Sequence, residues 1–173
     1  MDRRLGIAAA VIAIGAIVAY GFANQHEAAK QTLASASTAK SPAPALAGID
    51  LARRPFSLAS FKDKRPIVVN FMQATCVPCR EEAPAFARFA REIGPGVATI
   101  AIGLESSNAD LRAFAKTFGW TFPIVPTDLQ AVDGYQIAGY PVTVVIDRSG
   151  EIVYRQTGPV DFGVLRAKVR ELA

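Results

Sequence analysis

Ile67-Val68-Val69-Asn70-Phe71-Met72-Gln73-Ala74-Thr75-Cys76-Val77-Pro78-Cys79-Arg80-Glu81-Glu82 joins a strand-like apolar run to a helix-like one, with two cysteines at the junction. They are the only cysteines in the chain, and two residues separate them. A thiol pair at that spacing, between a strand and a helix, signals redox chemistry. The physical reason lies at the helix start. A helix beginning near Val77 leaves Cys76 at its N-terminus, where free backbone N–H groups and the macrodipole favour a thiolate. Thiols so placed titrate at ~3.5–7.5 instead of ~8.5 and are nucleophilic near neutral pH. Cys79, one turn on, is close enough to attack a mixed disulfide formed by Cys76 and too buried to react first. Other uses of the pair fit less well. A structural disulfide closing a two-residue loop removes little chain entropy. A zinc site takes about four ligands, and the one histidine, His26, lies fifty positions upstream of Cys76. Two unrelated core thiols would leave the helix-start context unexplained.

Outward from the motif, strands and helices alternate. Residues 56–58 and 67–72 read as strands, the second a continuous apolar run suited to a central, doubly covered position. A helix is expected over 78–93, with Phe86, Phe89 and Ile93 on one stripe, a kink at Pro84 and an end at Gly94-Pro95-Gly96. There follow a buried strand over 97–104 and a helix to Phe118 opened by Ser107-Asn108-Ala109-Asp110, which resembles a capping box. Next come a short strand over 122–125 and a short helix over 128–137 broken by Gly134. Residues 142–146, the turn Asp147-Arg148-Ser149-Gly150 and residues 151–155 read as a hairpin. A last helix spans 160–172, with Val164, Leu165, Val169 and Leu172 facing inward. Alternation of this kind gives an α/β layered fold.

The 173 residues are 51% hydrophobic and 20% charged, which excludes a wholly disordered chain and permits a real core. From Leu46 onward there are 15 Lys and Arg against 13 Asp and Glu, a net charge of +2. With no basic run to track phosphates, nothing points to nucleic acid. At the start, Met1-Asp2-Arg3-Arg4 precedes nineteen uncharged residues ending at Ala23. As a helix they would rise ~28 Å, close to the hydrocarbon thickness of a bilayer. Arg3 and Arg4 would then stay cytoplasmic, with Tyr20 and Phe22 near the far interface. The alternative is a cleaved signal peptide, with Gly21 and Ala23 as the small residues before the cut. Either way the remainder is exported, where a dithiol needs its own redox supply. Residues 24–45, rich in Ala, Ser, Thr and Gln and ending near Ser41-Pro42-Ala43-Pro44, read as a tether. His26 there reads as a solvated linker residue. Three segments are therefore expected: an anchor or signal over 1–23, a linker over 24–45 and a domain over 46–173.

Val69-Asn70-Phe71, Cys76-Val77-Pro78-Cys79-Arg80-Glu81-Glu82-Ala83-Pro84, Gly139-Tyr140-Pro141 and Ile146-Asp147-Arg148-Ser149-Gly150-Glu151-Ile152-Val153 together resemble the thioredoxin superfamily. More narrowly, with the N-terminal apolar segment, they resemble its membrane-anchored, extracytoplasmic TlpA/ResA/CcmG-type branch. The resemblance covers about residues 46–173. It implies a thioredoxin-like fold, a central mixed β-sheet flanked by helices, preceded by a transmembrane helix and linker. It also implies roles: Cys76 the attacking thiolate, Cys79 the resolving thiol, the two forming the redox disulfide. Pro141 would be a cis-proline facing that disulfide. With Tyr140 beside it and Thr75, Val77 and Pro78 around Cys76, it would bind the substrate strand by β-augmentation. Without the resemblance Pro141 would read as an ordinary strand-start proline. Glu82 matches a glutamate thought to handle protons near the cysteines in part of the branch; the alternative is a solvated carboxylate on the helix face.

Two positions depart from the family pattern. Thr75 stands where a Trp usually precedes the first cysteine, and Met72 where another often lies; Trp120 reads as core. Asn70 stands where cytosolic thioredoxins carry a buried Asp, which agrees with the exported branch and removes one candidate proton acceptor. The expected function is a membrane-tethered reductant of disulfides in cysteine-containing client proteins, by resemblance apocytochrome c or copper-site cysteines. A membrane thiol-relay protein would be its electron donor, with no cofactor and no metal. An exported oxidant or isomerase of the same fold would differ only in poise. A thiol peroxidase would want a Thr where Gln73 stands, and a non-catalytic binding module would not need both cysteines.

Overall fold

The computed structural model describes residues 36–37 and 40–172. In chain order the strands and helices are β1 (Ala36–Ser37), β2 (Ser41–Pro42), β3 (Ala47–Ile49), β4 (Pro55–Ser57), β5 (Ile67–Met72), α1 (Val77–Glu92), β6 (Ala98–Gly103), α2 (Asn108–Phe118), β7 (Ile124–Pro126), β8 (Val142–Ile146), β9 (Glu151–Thr157) and α3 (Phe162–Arg170). The main sheet runs β1-β9-β8-β5-β6-β7, with β2 also paired to β9; β3 and β4 form a separate hairpin. β5, β6 and β7 are parallel, while β8 is antiparallel to both β5 and β9. The sheet is therefore mixed, as expected.

Every residue of β5 is buried, because strands flank it and both faces are covered. Strand alternation sends Val68 and Met72 into one core cluster and Ile67, Val69 and Phe71 into the other. The two crossovers, β5–α1–β6 and β6–α2–β7, step the same way across the sheet. With one handedness they lay both helices on one face. Phe86 of α1, Leu111 and Phe114 of α2, and Leu165 and Val169 of α3 fill the cluster there. The opposite face is covered by Leu46, Phe56 of the hairpin, and Val132 and Tyr135 of a 3₁₀ turn. Trp120 is buried in the helix-side cluster, as its core reading required, and its Nε1 donates to the Ala83 carbonyl at 3.0 Å.

Several expected boundaries move. The short helix over 128–137 is a 3₁₀ turn, Gln130–Tyr135, and Gly134 lies within it. A Cβ on Gly134 would stand 2.9 Å from Pro44 Cβ and Cγ, so this glycine serves close approach. Val164 is exposed, although it was expected to face inward. Consecutive helical residues point ~100° apart, and the stripe instead takes Phe162, Leu165, Val169 and Leu172. The chain also joins the sheet ahead of Leu46: β1 and β2 pair with β9, Ala43 N–H donates to the Gly150 carbonyl, and the Tyr135 hydroxyl donates to the Pro44 carbonyl. Residues 40–45 therefore pack on the domain where a tether was expected. Among the described residues no helix is long and apolar enough to cross a membrane. The expected anchor over 1–23 and the linker residue His26 lie outside the described residues.

Candidate active site

α1 begins at Val77 with Cys76 as its N-cap and Pro78 in the first turn, where a missing N–H costs nothing. Cys76 and Cys79 are joined as a disulfide. The Cys79 backbone N–H donates to Cys76 Sγ at 3.2 Å, so one of the helix's free donors is aimed at that sulfur. Cys79 is 1% exposed and Cys76 half-buried, which makes Cys76 the sulfur a partner can reach. Around it, Thr75 and Val77 are exposed and Pro78 half-buried. Val77 is 63% exposed, an apolar side chain standing free beside the disulfide.

The antiparallel pairing of β5 and β8 brings Tyr140 and Pro141 to the same end of the sheet. Phe71 is opposite Val142, so the residues just before β8 lie beside those just after β5. The Tyr140–Pro141 peptide is cis, and Pro141 is buried. The Tyr140 hydroxyl donates to Glu105 Oε2 at 2.9 Å. Burial, and after it the Glu105 bond and charge, push the Tyr140 phenol up to about 12. Glu105 sits at φ 47, a left-handed conformation unusual for a side-chain-bearing residue. Its neighbour Ser106 accepts from Ala74 N–H at 2.9 Å and donates to the Leu104 carbonyl at 2.8 Å. One loop thus bonds both the cysteine loop, at Ala74, and Tyr140.

Glu82 is not a solvated helix-face carboxylate. It is 7% exposed, on the side of α1 that packs on the sheet. Asn70 Nδ2 donates to its Oε1 at 3.1 Å, and the Val160 backbone N–H donates to its Oε2 at 3.1 Å. Burial pushes the Glu82 carboxyl up to about 7, against the pull of the Val160 and Asn70 hydrogen bonds, which favour the anion. The same Asn70 Nδ2 also donates to Thr143 Oγ1 of β8 at 3.1 Å. The site therefore sets a half-buried sulfur, a buried sulfur one turn on, and a buried carboxyl three residues further along α1. Sequence reasoning treated Asn70 only as a missing acid; here it is a donor to Glu82. Thr143, Val160, Glu105 and Ser106 were not anticipated. For Asn70 and Thr143 the available signal was a polar side chain within a continuous buried strand.

A mixed sheet whose central strand runs into a Cys-x-x-Cys helix start, with a cis X–Pro peptide opening the neighbouring strand, defines a thioredoxin-like protein. The chain belongs to the AhpC/TSA family, whose model matches residues 39–155. It is 31% identical over 124 residues to the thiol-disulfide oxidoreductase ResA of Geobacillus kaustophilus, covering 68% of each chain. It is 35% identical over 100 residues to the thioredoxin-like protein YneN of Bacillus subtilis, covering 56% of this chain and 58% of YneN. The chain thus spans little more than half the length of that relative. Among solved structures, a thiol:disulfide interchange protein of the thioredoxin family from Chlorobium tepidum matches with a TM-score of 0.68 at 27% identity. That match covers 79% of this chain and 98% of the other.

Proposed function

We propose that this chain is a thiol–disulfide oxidoreductase that reduces disulfides of client proteins outside the cytoplasmic membrane, held there by residues 1–23. The observation that carries it is the placement of Cys76 at the N-cap of α1, half-buried, over a fully buried Cys79. The Cys76 thiolate attacks a client disulfide, forming a mixed disulfide and releasing one client thiolate. Cys79 then gives its proton to the Glu82 carboxylate and attacks Cys76 Sγ. The second client sulfur leaves as a thiolate and takes up a proton, and Cys76–Cys79 closes. Two electrons have passed to the client; a membrane dithiol relay then reduces Cys76–Cys79 with two electrons and two protons of its own and closes to a disulfide. A carboxyl that titrates near neutrality suits this exchange, since it can both accept and release the proton at working pH. Thr75, Val77, Pro78 and the Tyr140–Pro141 segment form the client-binding rim. The clients are proteins whose haem-attachment or copper-site cysteines must be kept reduced.

The test is the reduction potential of the pair, measured on the full-length chain equilibrated with thiol buffers. Each ~30 mV is tenfold in this two-electron equilibrium. A value towards about −270 mV supports a reductant, while one towards about −120 mV overturns that direction and assigns a disulfide donor. Cys76→Ser is expected to abolish turnover and Cys79→Ser to accumulate mixed disulfides in cells. A Cys79→Ser protein that traps none rules out the two-thiol route. Labelling of a reduced Cys76 by a membrane-impermeant thiol reagent on intact cells checks the location.

A further inference from the structure

Asn70 is fully buried inside β5, and alternation turns its side chain to the α1 face, between Val68 and Met72. Both hydrogens of Nδ2 are used, on Glu82 and on Thr143. Its Oδ1, by contrast, is buried with no hydrogen-bond partner among the described residues. An empty buried acceptor carries an uncompensated desolvation cost, and native structures rarely keep one without a use. Cys79 and Glu82, three positions apart, share one face of α1, and both are buried there. In the disulfide, Cys79 Sγ carries no hydrogen. Reduction by a dithiol, which gives up two electrons and two protons and itself closes to a disulfide, places an S–H donor on that face.

We propose that Asn70 is a positioning residue for both redox states: Nδ2 holds Glu82 against Thr143 of β8, and the open Oδ1 accepts the Cys79 S–H, directly or through one water, once the disulfide is reduced. One amide then holds the thiol that must lose a proton and the carboxylate that must take it. Little else competes for the carboxyl. β5 and β8 contain no titratable residue. Cys76 caps α1, which carries Cys79 and the exposed Arg80, Glu81, Arg88, Arg91 and Glu92; the segment after Val160 offers Asp161, and β9 offers Glu151, Tyr154 and Arg155. Among the described residues, Asn70 and Val160 are the groups that hydrogen-bond Glu82.

The second half of this proposal rests on the thiol–disulfide reading; the first does not. The test is nuclear magnetic resonance on the full-length chain labelled at Asn and Glu. In the oxidised protein the Asn70 side-chain nitrogen is expected to follow the Glu82 carboxyl carbon with one pH midpoint. Reduction by dithiothreitol, verified by thiol titration, is expected to move the Asn70 Cγ resonance as Oδ1 gains a donor. Asn70→Leu removes the donor and the acceptor together. It should raise the Glu82 midpoint by about one pH unit, a tenfold gain in proton affinity. It should also disfavour the dithiol about tenfold, a fall of ~30 mV. Asn70→Asp should make the two carboxyls titrate in two coupled steps. An unchanged Glu82 midpoint in Asn70→Leu overturns the holding role, and an Asn70 Cγ that ignores reduction overturns the acceptor role. If Asn70→Leu does not fold, the wild-type titration decides: an Asn70 amide indifferent to Glu82 protonation sinks the proposal. Failure of the oxidoreductase reading would appear separately, as a pair that dithiols and client disulfides do not exchange with, and would leave the oxidised-state titration intact.

Discussion

Glu82 carries a cost that depends on pH, and its sign is fixed by the direction of its shift. Its folded-state value of about 7 lies above the ordinary 4.5, so the folded protein binds this proton more tightly than the unfolded chain. The group's contribution is complete below pH 4.5 and is lost as pH rises through 7. Each pH unit in that window weakens the fold by up to ~1.4 kcal/mol, roughly 3 kcal/mol in all. Urea unfolding of the oxidised protein at pH 5 and pH 8 should show that fall, and Glu82→Gln should flatten it. A wild type equally stable at both values would mean the carboxyl is solvated after all. Thr143→Val, which keeps the shape and removes the hydroxyl, frees one Asn70 hydrogen in a dry interior and should cost ~1–3 kcal/mol by the same denaturant measurement. Much of this was legible from residue spacing. Cys79, Glu82 and Phe86 fall at i, i+3 and i+7, the spacing of a buried stripe, so the burial of Glu82 is legible in the sequence. Which groups would bond its two oxygens is not, because Asn70 and Val160 are 12 and 78 positions away.

Among elements, α1 is tied down by aromatic contacts more than by charge. The Phe86 ring centroid lies 5.9 Å from Phe89, 5.5 Å from Trp120, 5.8 Å from Phe122 and 5.9 Å from Phe162, so one residue links the redox helix to α3 and to the segment after α2. Phe86→Ala should destabilise the domain by ~3–5 kcal/mol in chemical denaturation. The rim is held more lightly. Tyr140→Phe deletes only the donor to Glu105 and should cost no more than ~1 kcal/mol of stability. Its larger effect should be a raised KM for client with kcat retained, because the loop carrying Glu105 and Ser106 loses its tie to Tyr140. Helices and central strands were readable from periodicity and capping residues. Ser107, for example, caps α2 by accepting from Asp110 N–H. The 3₁₀ turn Gln130–Tyr135 and the outward Val164 were not, since both depend on which neighbour the segment meets: Pro44 against Gly134, and the α1 face against α3.

For the domain as a whole, the sheet edge at β9 is covered by β1 and β2, contributed by residues whose composition reads as linker. Small polar residues and prolines give no core signal, so the pairing was invisible in the sequence; backbone hydrogen bonds do not depend on side-chain hydrophobicity. Deleting residues 1–45 should lower stability by about 4 kcal/mol or more, at ~1 kcal/mol for each hydrogen bond lost. It should also leave β9 as a bare edge, with concentration-dependent association in sedimentation as the readout. Gly134→Ala should reproduce part of that loss with the chain intact, by pushing Pro44 away.

The chain has a single tryptophan, and Trp120 is hydrogen-bonded to the carbonyl of the residue that follows Glu82. Its emission therefore comes from one indole seated on the helix that Cys76 caps and that carries Cys79. No dye or engineered label is needed to watch the pair: the molecule contains its own optical gauge of how that helix sits as the disulfide opens and closes.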